Sequence, residues 1–219
     1  MPDRPDTAQS PSRADPDRPE AVVFDLGGVL IDWDPRHLYR SLITDEAEME
    51  RFLGEVVSPA WNLEHDRGRP FAEGVALLSR EHPDHADLIA AYAERWVEML
   101  GGPIQPTVDV LAELRSTGIR LLALTNWSAE TWPIGRPLFP FLDWFEGIVV
   151  SGAERIAKPD PALFRILIER YGIDPSRTLY IDDLAANVAA AADLGFRTIR
   201  FRDAAELRRA LVRERALSD

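Results

Sequence analysis

The chain has 219 residues and no cysteine, and its 37 acidic and 25 basic side chains give a formal net charge of -12. This length allows one full hydrophobic core plus a smaller appended unit, while the absence of cysteine excludes disulfides, thiol nucleophiles and cysteine-based metal sites. The negative charge disfavours nucleic acid and anionic lipid as partners, and no apolar run approaches the ~20 residues of a membrane-spanning helix, so we expect a soluble, cytoplasmic protein.

The first segment in chain order, residues 1–19, is rich in proline, aspartate and arginine and poor in large apolar side chains. Such a segment buries too little apolar surface to offset the entropy of ordering, so we expect a disordered tail. From Ala21 onward, short apolar runs alternate with stretches of helical periodicity. We predict strands over 21–24, 119–124, 147–151, 178–181 and 196–201. We predict the connecting helices over about 106–117, 129–138, 160–171, 185–194 and 203–216.

The order of these elements indicates an α/β fold. Strands that are apolar on both faces and separated by helices are typical of a parallel sheet covered on both sides. The connection between the first two strands is far longer than a crossover requires, and residues 35–102 within it carry helical signals without a convincing strand. We therefore predict a core formed by residues 20–34 and 103–219, with residues 35–102 inserted as a helical cap.

Polar residues follow the predicted strands at the points where these strands end. The carboxyl ends of parallel strands meet at one edge of the sheet, where ligands bind. The residues at those ends and in the adjoining loops offer a nucleophile, a hydroxyl group, an amide, a cation and a carboxylate pair. They are Asp25, Thr125, Asn126, Lys158, Asp182 and Asp183. Each one alone is common at a helix cap or a turn, but their ordered occurrence indicates a catalytic site.

Four segments carry these residues, and together they resemble the motifs of the haloacid dehalogenase superfamily, which consists mainly of aspartate-dependent phosphatases. The segments are "FDLGGVL", "LLALTN", "AKPDPALF" and "YIDDLAANVAAAADLG". The resemblance spans residues 21 to about 202 and implies a Rossmann-like three-layer core with a helical cap inserted after the first motif. It also implies that Asp25 is the nucleophile.

The resemblance implies a Mg²⁺ ion held by Asp25, the backbone carbonyl of Gly27 and Asp183. Mg²⁺ prefers oxygen ligands and keeps several waters, so two carboxylates and one carbonyl suffice on the protein side. The ion would bring the anionic nucleophile against a phosphate dianion that repels it.

The remaining motif residues are expected to bind the phosphoryl group or to support those that do. Lys158 would neutralise charge on the transferring group, and Thr125 would hold its oxygens. Asn126 is expected to contact the substrate. Asp182 and Asn187 are expected to stand behind the reacting groups and orient them.

Gly27 departs from the motif of most phosphatases of this superfamily, which have a second aspartate there as the general acid for the leaving alcohol. Glycine keeps the backbone carbonyl and loses the acid. General acid–base assistance is typically worth 10²–10⁴-fold, so its loss matters most for poor leaving groups. Asp32, Asp34 and His37 follow closely in the sequence and are the alternative proton donors.

The preferred interpretation is a phosphomonoester hydrolase that forms an aspartyl-phosphate intermediate on a small metabolite, such as a sugar 1-phosphate. "FDLGGVL", "HDRG" and "IDDLAAN" resemble the branch that contains α-glucose-1-phosphatase-like enzymes, where His65 and Arg67 of the cap would contact the substrate. Two alternatives remain open, a metal-independent 2-haloacid dehalogenase and a non-catalytic binding protein of the same fold. The sequence is compatible with a monomer or a homodimer.

Overall fold

The computed structural model describes residues 17–218, so most of the predicted tail lies outside the described residues. Five parallel strands form the central sheet in the order β5-β4-β1-β6-β7. Their bounds are Ala21–Phe24 (β1), Arg120–Thr125 (β4), Gly147–Val150 (β5), Thr178–Asp182 (β6) and Arg197–Arg200 (β7). All four residues of β1 are buried, as expected for the central strand of a sheet covered on both faces.

Alternate residues of β1 point into two separate hydrophobic clusters. Val22 and Phe24 join one cluster, and Ala21 and Val23 join the other. The first cluster includes buried residues of α6 (Gln105–Ser116) and α11 (Ala204–Arg213), and the second includes those of α9 (Pro161–Tyr171) and α10 (Ala185–Asp193). The helices therefore form the two outer layers, which confirms the predicted three-layer α/β core.

The prediction of one helix over 129–138 is wrong. Only Trp132–Gly135 (α7) is α-helical, followed by 3₁₀ turns at Arg136–Leu138 and Pro140–Trp144. Three prolines, at positions 133, 137 and 140, remove backbone donors and prevent a continuous helix. A four-residue helix, Ser151–Glu154 (α8), also follows β5 directly, so the strand ends one residue earlier than predicted.

The insertion after β1 is mainly helical, as predicted. Its α-helices are Arg36–Tyr39 (α1), Glu46–Arg51 (α2), Pro59–Asp66 (α3), Phe71–Glu81 (α4) and Ala86–Glu94 (α5). A π-helical segment, Phe52–Val56, and 3₁₀ turns at Pro83–His85 and Trp96–Met99 complete it. The longest helix among residues 17–218 is α6, with 12 residues, and none in this range is long and apolar enough to cross a bilayer.

The structure contains two short strands at the ends of the insertion that the sequence analysis did not predict. Ile31–Trp33 (β2) pairs in antiparallel fashion with Leu100–Pro103 (β3). Gly101 and Gly102 lie in β3, and Gly102 has a φ of 112°, so this strand lacks the β-branched and apolar pattern by which strands are recognised. β2 belongs to the predicted core and most of β3 to the predicted cap, so their pairing joins the two units. The division at residues 34–35 and 102–103 therefore stays a prediction.

Gly152 provides a test of the close approach between the loops that follow β4 and β5. A Cβ at Gly152 would lie 2.3 Å from the Ala129 nitrogen and 2.7 Å from the Trp127 carbonyl oxygen, both backbone atoms. We expect Gly152→Ala to lower the free energy of unfolding by about 1–3 kcal/mol through overpacking. Gly54→Ala is the matched control, because a Cβ there meets no atom within 4 Å. Urea denaturation compares them, and equal stabilities for the two variants would contradict this packing.

Candidate active site

The polar residues predicted to act together converge at the carboxyl edge of the sheet. Asp25 follows the last residue of β1, Thr125 ends β4 and Asp182 ends β6. A cavity of about 500 Å³ opens at this edge, between the core and the helical insertion. Asp25, Thr125, Lys158 and Asp183 all line it. The structure therefore places the predicted nucleophile, hydroxyl group, cation and acid on one wall.

Lys158 is buried between two carboxylates. Its Nζ lies 2.8 Å from Asp25 Oδ2 and 2.8 Å from Asp182 Oδ2, and it donates a 3.0 Å hydrogen bond to the Leu124 carbonyl. Burial disfavours the charged ammonium, but the two carboxylates outweigh this effect and raise the pKa of Lys158. The side chain is thus a fixed cation in contact with Asp25.

Asp182 is fully buried, and both of its carboxylate oxygens accept hydrogen bonds. Besides Lys158, the Tyr180 hydroxyl donates at 2.6 Å, the Leu184 backbone N–H at 2.9 Å, and the Asn187 amide at 3.0 and 3.1 Å to the two carboxylate oxygens. Burial opposes ionisation of Asp182, but Lys158 and these donors prevail and lower its pKa. Asp182 and Asn187 therefore hold Lys158 in place, consistent with their expected supporting positions.

Asp25 is 7% exposed and is held from two directions. Its Oδ1 accepts a 2.7 Å hydrogen bond from the Leu26 backbone N–H, while Oδ2 faces Lys158. Burial raises the pKa of Asp25 and the charge of Asp182 adds to this effect, while Lys158 opposes it. A carboxyl group in this position needs further positive charge to remain ionised.

Asn126 lines the cavity, but its amide group is already engaged with the backbone of Lys158. Asn126 Nδ2 donates to the Lys158 carbonyl at 3.1 Å, and Asn126 Oδ1 accepts from the Lys158 N–H at 2.8 Å. This pair joins the loop after β4 to the loop that precedes α9. Asn126 therefore positions the backbone of Lys158, and the substrate contact expected of it stays a prediction.

A metal could be held by the acidic groups at this edge. Asp25, Asp182 and Asp183 each place one carboxylate oxygen within 4.8 Å of the other two. Asp182 is fully buried behind the cavity wall, whereas Asp25 and the half-buried Asp183 line the cavity and are better suited as ligands. Three carboxylates against the single ammonium of Lys158 leave excess negative charge, which a divalent cation would offset. The all-oxygen donor set fits Mg²⁺.

The two glycines after the nucleophile have different steric constraints. Gly28 has a φ of 72°, and a Cβ there would lie 3.0 Å from Asp183 Oδ2. Gly27 has no positive φ, and a Cβ at that position would meet no atom within 4 Å. Gly28 therefore makes room for Asp183, whereas the missing side chain at Gly27 is not imposed by space. The Gly27 carbonyl as a metal ligand stays a prediction.

The structure separates His65 and Arg67 from the cavity, contrary to the expectation that they contact the substrate. The His65 ring is fully buried, stacks on Phe71 at 4.2 Å and is 3.0 Å from the Arg69 carbonyl oxygen through Nδ1. Burial lowers the pKa of His65 to about 4. Arg67 is 45% exposed and pairs with Glu64. Helical periodicity explains the difference, because both residues point away from the face of α3 that meets the core.

That face of α3 supplies cavity residues that the sequence analysis missed. Pro59, Asn62, Leu63 and Asp66 line the cavity, and their spacing of three and four residues is that of one helix face. Asn62 Nδ2 donates a 3.0 Å hydrogen bond to Asp66 Oδ2. The signal that could have found them is this periodicity, read from the buried positions of α3 instead of from the charged residues of "HDRG".

The alternative proton donors lie away from this cavity in the described part of the chain. Asp32 and His37 pair with each other at 3.0 Å, with 49% and 30% of their side chains exposed. Asp34 accepts hydrogen bonds from the Arg36 backbone and guanidinium. These residues stabilise the start of the insertion and do not reach the reacting groups.

Aromatic side chains form much of the remaining wall. Trp33, Phe71, Trp96 and Trp127 all line the cavity. The Trp96 and Trp127 rings pack at 5.5 Å, and Trp127 Nε1 donates to Thr131 Oγ1 at 3.0 Å. The cavity wall therefore combines charged side chains with apolar and aromatic ones.

This arrangement agrees with the family assignment. Residues 19–195 match the model of haloacid dehalogenase-like hydrolases. The match covers most of the chain, and the protein belongs to this family of hydrolases. The first motif, the insertion and the strand-end residues all lie within the matched range.

Similar proteins include a phosphatase and a magnesium- and phosphate-bound family member. The chain is 25% identical over 181 residues to the sesquiterpene phosphatase astK of Aspergillus oryzae, covering 80% of this chain and 86% of that protein. It is 27% identical over 201 residues to mouse Acyl-CoA dehydrogenase family member 10, covering 82% of this chain but only 18% of that protein. The solved structure of bt-2542 from Bacteroides thetaiotaomicron, in complex with magnesium and inorganic phosphate, has a TM-score of 0.62 at 25% identity, covering 86% of this chain and 98% of that one.

Gly28 gives a test of the metal site that is independent of turnover. We expect Gly28→Ala to weaken Mg²⁺ binding about tenfold, or about 1.4 kcal/mol, because the added Cβ would displace the Asp183 carboxylate and strain the backbone. Gly118→Ala, at a glycine with a similar φ of 74° and open space around its Cβ, is the matched control and should bind Mg²⁺ like the natural protein. Isothermal titration with Mg²⁺ measures the affinities. Equal Mg²⁺ affinity in both variants would remove Asp183 from the ligand set.

Proposed function

We propose that this protein is a Mg²⁺-dependent phosphomonoester hydrolase that forms an aspartyl-phosphate intermediate on Asp25. The observation that carries the proposal is the contact between Asp25 and the buried Lys158 on the cavity wall, beside Asp183. A carboxylate that attacks phosphorus divides hydrolysis into two easier steps. The phosphatase relative and the phosphate-bound family member support the same reaction class.

The described side chains have distinct roles in this reaction. An oxygen of Asp25 bonds to phosphorus while the bond from phosphorus to the ester oxygen breaks. Lys158 neutralises charge on the transferring group, and the buried Thr125 hydroxyl donates to one of its oxygens. Water then attacks phosphorus and restores the Asp25 carboxylate, releasing inorganic phosphate.

Asp25, Asp183 and the Gly27 carbonyl would hold the Mg²⁺ ion. When bound, the ion supplies positive charge that offsets the repulsion between these carboxylates and a phosphate dianion. It also supplies the charge needed to keep the buried Asp25 ionised.

The same charges weigh against the two alternative functions. A 2-haloacid dehalogenase works without a metal, and three carboxylates facing one lysine would then repel its anionic substrate. A non-catalytic binding protein would have no need for a buried Lys158 in contact with Asp25, since burying such charges is costly. Phosphoryl transfer accounts both for the cluster of three carboxylates and for the buried Lys158 in contact with Asp25.

The apolar and aromatic side chains of the cavity wall suit a phosphate ester of an apolar organic group, rather than the sugar phosphate expected from the sequence. Several polar side chains on the wall already have partners within the protein. Thr131 accepts from Trp127, Ser128 accepts from the Glu130 N–H, and Asn62 bonds to both Asp66 and Tyr92. The hydroxyl groups of a sugar would therefore lose water and find few partners, at a cost of about 1–3 kcal/mol for each unpaired group.

The aromatic wall supports the same substrate class. Packing an apolar organic group against these side chains removes apolar surface from water, which favours binding by about 25 cal/mol per Å². The relative named as a sesquiterpene phosphatase supports an apolar organic group as well. A cavity of about 500 Å³ is sufficient for a small molecule.

A substrate panel tests the function and the substrate class together. We expect an aliphatic phosphomonoester to have a kcat/KM at least about tenfold above that of α-glucose 1-phosphate, because its apolar chain fits the aromatic wall. Both activities should disappear with EDTA and return with Mg²⁺. Phosphate release and halide release from 2-chloropropionate are measured in parallel.

A pair of tryptophan variants controls for general damage to the fold. Trp33→Ala removes part of the cavity wall and should reduce the preference for the aliphatic ester. Trp144 does not line the cavity, so Trp144→Ala should leave this preference unchanged. A preference for the sugar phosphate would contradict the substrate class. Metal-free turnover of 2-chloropropionate would contradict the phosphatase assignment.

A further inference from the structure

Gly27 leaves the leaving group without the acid that its position supplies in most family phosphatases, and the cavity contains one acidic side chain with no other task. Among residues 17–218, the acidic side chains on the cavity wall are those of Asp25, Asp66 and Asp183. Asp25 is the proposed nucleophile and Asp183 a proposed metal ligand. We propose that Asp66, in the helical insertion, is the general acid and base for the ester oxygen. This inference rests on the proposed function.

The end of α3 fixes Asp66 against the core. Asp66 is the last residue of α3 and is 9% exposed. In the turn that follows, a Cβ at Gly68 would lie 3.0 Å from Arg155 Cγ and 3.1 Å from the Gly152 carbonyl oxygen, both of the core. This close approach seats the end of α3 against the core, so that Asp66 lines the same cavity as Asp25 and Lys158. A phosphate ester whose phosphorus lies at Asp25 would therefore occupy a cavity that Asp66 also lines.

The surroundings of Asp66 favour its protonated form near neutral pH. Burial raises the pKa of Asp66 to about 7, and the charge of Lys158 opposes this effect. Tyr92 of α5 also interacts with Asp66 and stays neutral because burial raises its own pKa, while Asp25 and Asp183 line the same cavity. Asp66 can therefore donate a proton at pH 7 and accept one again after donation.

A short chain of hydrogen bonds orients the carboxyl group. The Tyr92 hydroxyl donates to Asn62 Oδ1 at 2.9 Å, which directs Asn62 Nδ2 toward Asp66 Oδ2 at 3.0 Å. Asn62 is the hydrogen-bond partner of this carboxyl group in the described part of the chain, and it occupies one of the two oxygens. The second oxygen is left for the proton that is transferred.

Both steps of the reaction balance with Asp66 in this role. In the first step, the bond from Asp25 to phosphorus forms, the bond to the ester oxygen breaks, and that oxygen takes the proton of Asp66 and leaves as an alcohol. In the second step, the Asp66 carboxylate takes a proton from water as the water oxygen bonds to phosphorus. The electron pair of the broken bond returns to Asp25, and Asp66 is again protonated.

Leaving-group dependence tests this role. Asp66→Asn keeps the size of the side chain and an acceptor for Asn62 but cannot transfer a proton. We expect Asp66→Asn to lower kcat/KM for alkyl phosphates by about 10²–10⁴-fold, and for 4-nitrophenyl phosphate, whose leaving group needs no proton, by only a few-fold. Across phenyl phosphates of graded leaving-group pKa, the dependence of rate on leaving-group pKa should be steeper in the variant.

The pH profile gives a second readout. For alkyl phosphates, kcat/KM of the natural protein should fall as the pH rises through about 7, because the acid must be protonated, and this fall should be absent in Asp66→Asn. Glu64→Gln, which removes an exposed carboxylate from the same helix, is the matched control and should behave as the natural protein.

The possible outcomes separate this inference from the function on which it rests. Equal losses on alkyl and nitrophenyl phosphates in Asp66→Asn, or no loss on either, would overturn the role of Asp66 while the phosphatase assignment stands. No Mg²⁺-dependent hydrolysis of any phosphate ester by the natural protein would overturn the proposed function itself.

Discussion

A lysine ammonium buried between two carboxylates is the constraint on which the rest of the site depends. Moving a charge from water into the protein interior costs several kcal/mol unless its partners are placed well. Lys158 meets this condition only when the ends of β1 and β6 and the loop before α9 are in register, because Asp25 and Asp182 come from different strands. The parallel sheet order, with β1 next to β6, provides that register. The ion cluster and the sheet topology therefore require each other.

The helical insertion completes the site by excluding water from one side of it. Residues of α3 and aromatic side chains of the insertion enclose the open edge of the sheet and form a cavity with a partly apolar wall. The same burial acts on each carboxyl group according to its partners. Asp182, surrounded by donors, has a lowered pKa, whereas Asp66, with one amide partner, has a raised pKa. Asp182 therefore stays charged, whereas Asp66 can carry a proton near neutral pH.

The core of the fold, and the convergence of the strand-end residues at one edge of the sheet, could be predicted from the sequence. Short apolar runs mark the five strands, and an acid or a Thr-Asn pair at a strand end marks the catalytic edge, because parallel strands bring their carboxyl ends together. Asp182 pairs with Lys158, and Asn187 donates to Asp182, while the supporting roles expected of both residues stay predictions. These features depend on local patterns and on topology alone.

The remaining features depend on tertiary packing that one sequence does not display. β3 contains two glycines and is a strand because β2 lies beside it. His65 and Arg67 are polar and adjacent, but the packing of α3 turns one into the insertion and the other into solvent. Asp66, between them, faces the cavity, and no property of the residue itself distinguishes it from its neighbours.

The most direct measurement is the mass of the peptide that contains Asp25, isolated after acid quench during turnover of 4-nitrophenyl phosphate with Mg²⁺. An aspartyl-phosphate intermediate predicts a fraction of this peptide heavier by one phosphoryl group. That fraction should be absent with EDTA and in Asp25→Asn, which should keep its fold and lose its activity. Turnover with the phosphoryl group on a different residue, or undiminished activity in a folded Asp25→Asn variant, would contradict the assignment of Asp25 as the nucleophile.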